Sequence, residues 1–382
     1  MVRIKAKDVR KRVKELKNII EAYKKEHPKR ERNYAEYEKE FKRRLRKATK
    51  NLDNLISESV RQIKIFYRNK DRHSLSLRKR MRLILVKELT EKGNRKTANM
   101  LELYSMLGGT DISYKTVERL YSDKILELAL FNLLVLSLNK RGIKEIDACG
   151  DATGYSLTIT KHYSSYIQKL KDKAKEQKLK KKAFVYNFAL MDLESKMYVC
   201  FGSSLKSEKE AFDKAMRMLQ IIDVKIKSIR LDRYYSCPVY VNQFKEAKVY
   251  IIPKRKISLK HGAKWTETMG EFLSDTIKYL EEYFKRNNSE SGWASDKKMF
   301  GWKISQKRDD RMDMALLVRM VWHNLILIYK WYLSHTLNNS RADIIDLTEG
   351  IIYEILCSEE EKDFYEKIRN YPKCFRVIKV KV

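Results

Sequence analysis

The sequence has little of what interrupts regular structure: four prolines and twelve glycines in 382 residues. So few breakers exclude a loop-dominated or collagen-like chain and leave one rich in helices and strands. Cysteine is also sparse. Cys149, Cys200, Cys237, Cys357 and Cys374 lie far apart with no CxxC pair, which excludes a disulfide scaffold and argues against a zinc site. Buried or idle thiols in a reducing cytosol are the expectation. No run of about 18 apolar residues occurs, and the N-terminus lacks the apolar segment of a signal peptide. Negative charge is in deficit as well: 50 Asp and Glu face 83 Lys and Arg, a formal charge of +33. That excess predicts an extended polyanion as partner, nucleic acid ahead of a membrane surface.

What is present first is basic helix. In residues 1–72, Val9, Val13, Leu16, Ile19 and Ile20 recur at helical spacing, His27-Pro28 interrupts, and Leu45, Leu52, Leu55 and Ile56 mark a second helix over about 33–68. Residues 73–140 form the next unit. SLSLRKRMRLILVKEL and NRKTANMLELYSML read as two amphipathic helices, GGTD as a break, and SYKTVERLYS as a short third helix. Gly108 and Gly109 suit a helix C-terminus, and Asp111 or Ser113 suits the next N-cap. Three helices with a tight glycine turn before the last resemble a helix-turn-helix unit. Tyr114, Lys115, Glu118 and Arg119 would then face the major groove, an ordinary helical bundle being the plainer alternative. Leu126 to Leu138 is an apolar helix expected to dock this unit onto the α/β part of the chain.

From Gly142 the texture changes to mixed α/β. IKEIDACGDATGYSLTIT opens as a strand carrying Asp147 and Asp151, and 162–182 is a Tyr- and Lys-rich loop or helix. AFVYNFALMDLESKMYVCFGSS reads as a hairpin, with Asp192 in its turn. An amphipathic helix follows, with Asp223 at its end, then a strand, VKIKSIRLD, ending at Asp232, and then the short buried strand VYIIP. A helix expected from near Met269 carries Tyr283, Arg286, Glu290 and Lys297, separated by two, three and six residues. At about 100° per residue these four fall within a stripe roughly 60° wide. A long apolar helix interrupted by Arg319, His323, Asn324 and Lys330 closes this part at about 335. Residues 336–382 read as a helical extension ending in the basic strand FRVIKVKV. The expected domains are therefore 1–72, 73–140, 141–335 and 336–382.

Strand-borne and helix-borne carboxylates amid strong positive charge suit phosphodiester chemistry, in which a few converging acids hold divalent metal. Any three of 50 acids could be chosen this way, so spacing alone does not select them. The motifs do. GDATGYS, IRLDRYYSCP, YIIPKR and the Tyr283–Arg286–Glu290–Lys297 spacing resemble the DDE transposases of bacterial and archaeal insertion sequences. The last of these fills that family's Y-R-E-K signature at every spacing. The resemblance spans about Asp147 to Leu325.

It implies an RNase H-like mixed sheet flanked by helices, following a mainly α basic N-terminal region. It further implies that Asp151, Asp232 and Glu290 are catalytic and bind two Mg²⁺, with Mn²⁺ as a substitute. Asp147, four residues before Asp151 and on the same strand face, is the alternative first acid. Tyr283, Arg286 and Lys297 would hold phosphates of the element end, with Lys254 of the Pro-Lys pair beside them. The implied activity is cleavage at transposon ends followed by strand transfer, by a homodimer or higher synaptic multimer. Its substrates are double-stranded terminal repeats and target DNA, and its setting is the prokaryotic cytoplasm at the nucleoid, with no membrane partner. An RNase H-like nuclease or resolvase without strand transfer, or an inactive domesticated DNA-binding protein, are the competing readings. Trp265 and Trp293 are read as core residues, with stacking on an extruded base as the sharper alternative. His162 and His323 are read as structural.

Overall fold

The apolar spacing near the N-terminus produces two long helices, α1 (Ala6–Glu26), which buries Val9, Val13 and Leu16, and α2 (Tyr34–Arg61), which buries Leu52, Leu55 and Ile56. The structure, a computed structural model, describes residues 4–26, 34–61, 63–66, 75–90, 112–157, 184–260, 262–306, 308–328 and 379–381. A short strand, β1 (Lys64–Phe66), follows α2. Three further helices have side-chain caps that the sequence itself supplies. Ser76 caps α3 (Leu77–Leu89), Ser113 caps α4 (Tyr114–Leu120), and Asp123 caps α5 (Lys124–Lys140) by accepting from the amides of Ile125 and Leu126. The second helix and GGTD turn of the helix-turn-helix reading fall in 91–111, outside the described residues. Helix α5 is apolar nearly all round and buries Leu126, Leu130, Leu133, Leu134 and Leu138, each contributing about 1.5–3 kcal/mol of transfer free energy.

The α/β part begins with the antiparallel strands β2 (Glu145–Leu157), β3 (Phe184–Asp192) and β4 (Tyr198–Ser204). Asp192 accepts from the Ser195 amide and hydroxyl in the hairpin turn. Helix α6 (Glu208–Ile222) ends at Asp223 in a left-handed conformation, φ 55°, and leads into β5 (Lys225–Leu231). After α7 (Pro238–Val241), β6 (Lys248–Tyr250) completes the run. The strand order is β4-β3-β2-β5-β6, with β5 and β6 parallel to β2. This mixed α/β sheet, flanked by helices and preceded by a helical region, is consistent with the RNase H-like expectation. Gly202 lets α6 close onto β4: a Cβ there would stand 2.1 Å from the Ala211 carbonyl oxygen.

Strand β1 replaces the end of the helix expected over about 33–68, and two further features depart from the sequence reading. Instead of one helix from near Met269, the chain forms α8 (Ala263–Ser274), α9 (Thr276–Phe284) and α10 (Asn287–Phe300). Asp275 is the reason for the first break: it leaves the helical region, with φ −144°, and caps α9 through the Lys278 amide. The second departure is an unforeseen sixth strand, β7 (Lys303–Ile304), which pairs in parallel with the end of β2. Then comes α11 (Asp309–Ile328), and β8 (Lys379–Lys381) pairs with β1. The expected loop or helix at 162–182 and the extension from 336 to 378 lie outside the described residues. Among the described residues, no helix is long and apolar enough to cross a membrane.

Helix α11 joins the two parts, packing against α2, α3, α5 and β4. Its contact with α3 holds buried charge: Glu88 and Lys87 of α3 and Arg319 of α11 are nearly fully enclosed. Glu88 accepts from Tyr121, Lys87 and Arg319, whose Nε lies 3.2 Å away. Arg319 also donates to the carbonyls of Gly301 and Lys303, which tether β7. Burial by itself would raise the Glu88 pKa. The two adjacent cations and its hydrogen bonds overcome that and leave it lowered.

Candidate active site

Strand alternation places Asp147, Asp151, Thr153 and Tyr155 of β2 on one face, and Ser228 and Arg230 of β5 beside them, with Asp232 immediately after the strand. Helices α9 and α10 cover that face. Asp232 is oriented by capping the short 3₁₀ turn Arg233–Tyr235, its Oδ2 accepting from the Tyr234 amide at 3.2 Å. Asp151 accepts from the Ala152 amide at 2.9 Å.

The α9–α10 junction is an elbow, not a chain reversal. Lys285 and Arg286 keep right-handed helical backbone while hydrogen bonds tighten to i−3, from Arg286 N to Tyr283 O and from Ser289 N to Arg286 O. Tyr283, Arg286 and Glu290 therefore stay close although they span two helices.

Arg286 is where the three expected acids meet. Its guanidinium lies 3.6 Å from Asp151, 3.7 Å from Asp232 and 2.7 Å from Glu290. These acids come from a strand, a strand end and a helix, far apart in sequence. Asp147 belongs elsewhere: it accepts from the Ser228 hydroxyl and lies 3.8 Å from Arg230. The structure thus brings Asp151, and not Asp147, to the cluster. Burial pushes the Asp151 carboxyl up to about 6; Arg286 and the Ala152 amide oppose this, and Asp232 and Glu290 reinforce it. Burial works against the Arg286 charge, but Tyr283 and the three acids leave its pKa raised.

The donor set fits a hard divalent cation by chemistry, being carboxylate oxygen only. As they stand, the acids surround Arg286, and among the described residues no group of three or more His, Cys, Asp or Glu could hold a metal ion. The Arg286 Nε is buried without a hydrogen-bond partner, so the three acids do not use all of its donors.

The other expected residues divide. Tyr283 is buried, its ring centroid 5.9 Å from the Arg286 guanidinium carbon. Lys297 donates to Thr153 Oγ1 at 2.5 Å and lies 4.8 Å from the exposed ring of Trp302; burial lowers its pKa. Lys254 is exposed and donates to the Tyr234 carbonyl, beside the turn that Asp232 caps. Tyr114, Lys115 and Arg119 are exposed on α4, whereas Glu118, itself partly exposed, pairs with Arg311 of α11. Trp265 and Trp293 are both core residues, as their plainer reading had it. His323 is held between Asp296 and the Lys196 carbonyl and is structural. His162 lies outside the described residues. Cys149 and Cys200 are buried free thiols.

Sequence reading missed Arg230, Glu282 and Thr153. The signal was strand parity: Arg230 precedes Asp232 by two residues and Thr153 follows Asp151 by two, so each shares its acid's face.

The Asp151 shift has a measurable sign. A raised carboxyl pKa contributes stability that is complete below the unfolded aspartate value, about 4, and is lost as pH rises through about 6. Without divalent cation, wild type should lose about 3 kcal/mol relative to Asp151→Asn between those limits. Urea denaturation at pH 4.5 and 7.5, which spans about 2 kcal/mol of that loss, checks this; an equal difference at both would overturn it.

The chain is 40% identical over 330 residues to a probable transposase for insertion sequence element ISA1214 of Archaeoglobus fulgidus. That match covers 85% of this chain and 97% of the relative. No protein-family model matches the chain, and no solved structure does.

Proposed function

The chain belongs to the transposases of insertion-sequence elements, and on that premise we propose that it is a DDE-type enzyme with an RNase H-like catalytic domain. Asp151, Asp232 and Glu290 hold its divalent ions, Mg²⁺ or in its place Mn²⁺. The observation that carries this reading is their convergence on one guanidinium from three separate elements. Bound there, two such ions would supply charge neutralisation at the phosphoryl group and a more acidic attacking water or 3′-hydroxyl.

The chain's own groups bind and position. Arg286, backed by Tyr283, turns its fork of donors from the acids to a phosphate of the element end. Lys297, directed by Thr153, meets a neighbouring phosphate as a point charge. Lys254 extends the positive track past Asp232, and Tyr114, Lys115 and Arg119 contact end DNA from α4. The net charge of +33 supplies sequence-independent attraction to the duplex. Two active centres acting on paired ends imply a homodimer or a higher multimer.

Incubation of the full chain with labelled end-containing duplex, target DNA and Mg²⁺ tests the proposal. The expected products are nicked ends and end–target joints, abolished by chelation with EDTA. Cleavage without joints would establish the nuclease reading, and metal-independent DNA binding alone would establish the inactive one.

A further inference from the structure

Arg230 is the least expected charge near the acids. It lies in β5, is 3% exposed, and uses its whole guanidinium within the protein. Nε donates to the Glu282 carbonyl oxygen at 3.2 Å, Nη2 pairs with the Glu282 carboxylate, and Nη1 donates to Ser228 Oγ and faces Asp147 at 3.8 Å. One face of the guanidinium lies 4.8 Å from the Tyr250 ring centroid. Four elements, β2, β5, β6 and α9, thus meet at one side chain.

The location gives this an effect on the site. Glu282 is in the last turn of α9, where unpaired carbonyls carry partial negative charge that suits a cation. Its carbonyl also accepts from the Lys285 amide, the hydrogen bond that begins the elbow. Arg286 lies four residues beyond and Glu290 eight. A rotation at Glu282 would therefore displace both, while Asp232, two residues from Arg230, stays with the sheet.

Enclosing an arginine here costs desolvation, and an apolar side chain would pack without that penalty. What only the charged fork supplies is a fixed angle between the end of α9 and the strand.

We propose that Arg230 is a positioning residue that locks the α9–α10 elbow to β5 and so sets Glu290 against Asp151 and Asp232. This rests on the proposed metal centre. Lysine keeps the charge without the fork, and methionine removes both.

The test uses full-length Arg230→Lys and Arg230→Met, with Asp232→Asn as control. Circular dichroism and thermal melting select folded variants, and Arg230→Lys decides if Arg230→Met does not fold. Turnover of end cleavage should fall roughly ten- to a hundredfold, the cost of a displacement near 1 Å. Half-saturation by DNA should rise by less than turnover falls, since only the Arg286 phosphate contact moves with the elbow, while the Mg²⁺ concentration for half-maximal rate rises. Mn²⁺ binding without DNA, followed by electron paramagnetic resonance, should weaken in step. Adding Glu282→Gln to Arg230→Met should cost little further, because what remains to Glu282 is its pair with the half-exposed Lys285.

Folded Arg230 variants with wild-type turnover and Mn²⁺ affinity, beside an inactive Asp232→Asn, overturn the positioning role and leave the metal centre standing. A loss fully accounted for by the unfolded fraction, with unchanged Mn²⁺ affinity, also overturns it. If Asp232→Asn binds Mn²⁺ and cleaves as wild type does, the metal centre itself fails and this inference with it.

Discussion

Glu290→Gln should cut end-containing DNA on the order of a thousandfold more slowly than wild type, the loss typical of removing a group that stabilises transition-state charge. Its fold should be unaffected. Glu290 is on an exposed first turn, and its contact with Arg286 is an i,i+4 pair on a half-exposed side chain. Such pairs contribute only about 0.3–0.5 kcal/mol, so melting temperatures should coincide. Asp151→Asn should match it in activity. Asp147→Asn should keep most of the activity, since its carboxylate is engaged by Ser228 and Arg230 and does not reach Arg286. A gel assay on labelled duplex with Mg²⁺, run well below the melting temperature of each variant, checks all three. Glu290→Gln cleaving at the wild-type rate would remove that residue from the proposed metal centre.

Glu88→Ala should be the most destabilising single change among the residues discussed. It leaves Lys87, Arg319 and the Tyr121 hydroxyl enclosed without their shared acceptor. Breaking a buried pair from one side costs about 3–5 kcal/mol, a large share of the stability of any domain. The loss should depend on pH. A depressed carboxyl pKa contributes stability that is complete above the unfolded-state value and lost as pH falls through the folded one. The gap between wild type and Glu88→Ala in urea should therefore be widest at neutral pH and narrow in acid below the ordinary glutamate range. A gap under about 1 kcal/mol at pH 7.5, typical of surface sites, would show that the network adds nothing net. Because Arg319 also tethers β7, the variant should lose cleavage activity before it unfolds fully.

Much of this molecule was legible in its residues. β-rich runs bounded by turn residues marked β2 to β5 and helical spacing marked α1 to α3, because residue type and spacing both follow from what must be buried. Ser113, Asp192 and Asp223 signalled caps and turns because short polar side chains satisfy local amides. The elbow at Lys285–Arg286 was not legible. A 3₁₀ tightening keeps helical dihedral angles and leaves no glycine or proline behind. The buried Arg230 and Arg319 were hidden by composition, since most of the 83 basic residues face solvent and periodicity cannot pick out those that do not.

The sequence by itself determined the fold class, the positive charge and the acids available for chemistry, since periodicity and residue identity are local properties. Asp147 and Asp151 share a strand face by parity, so spacing does not separate them and only the GDATGYS resemblance ranked Asp151 first. Only the tertiary structure decided between their positions: the strand carries them about 13 Å apart, and the α9–α10 elbow delivers Arg286 and Glu290 to one end of that span. Which charges meet depends on strand order and helix docking, which are set by burial across the whole core and not by any one stretch of chain.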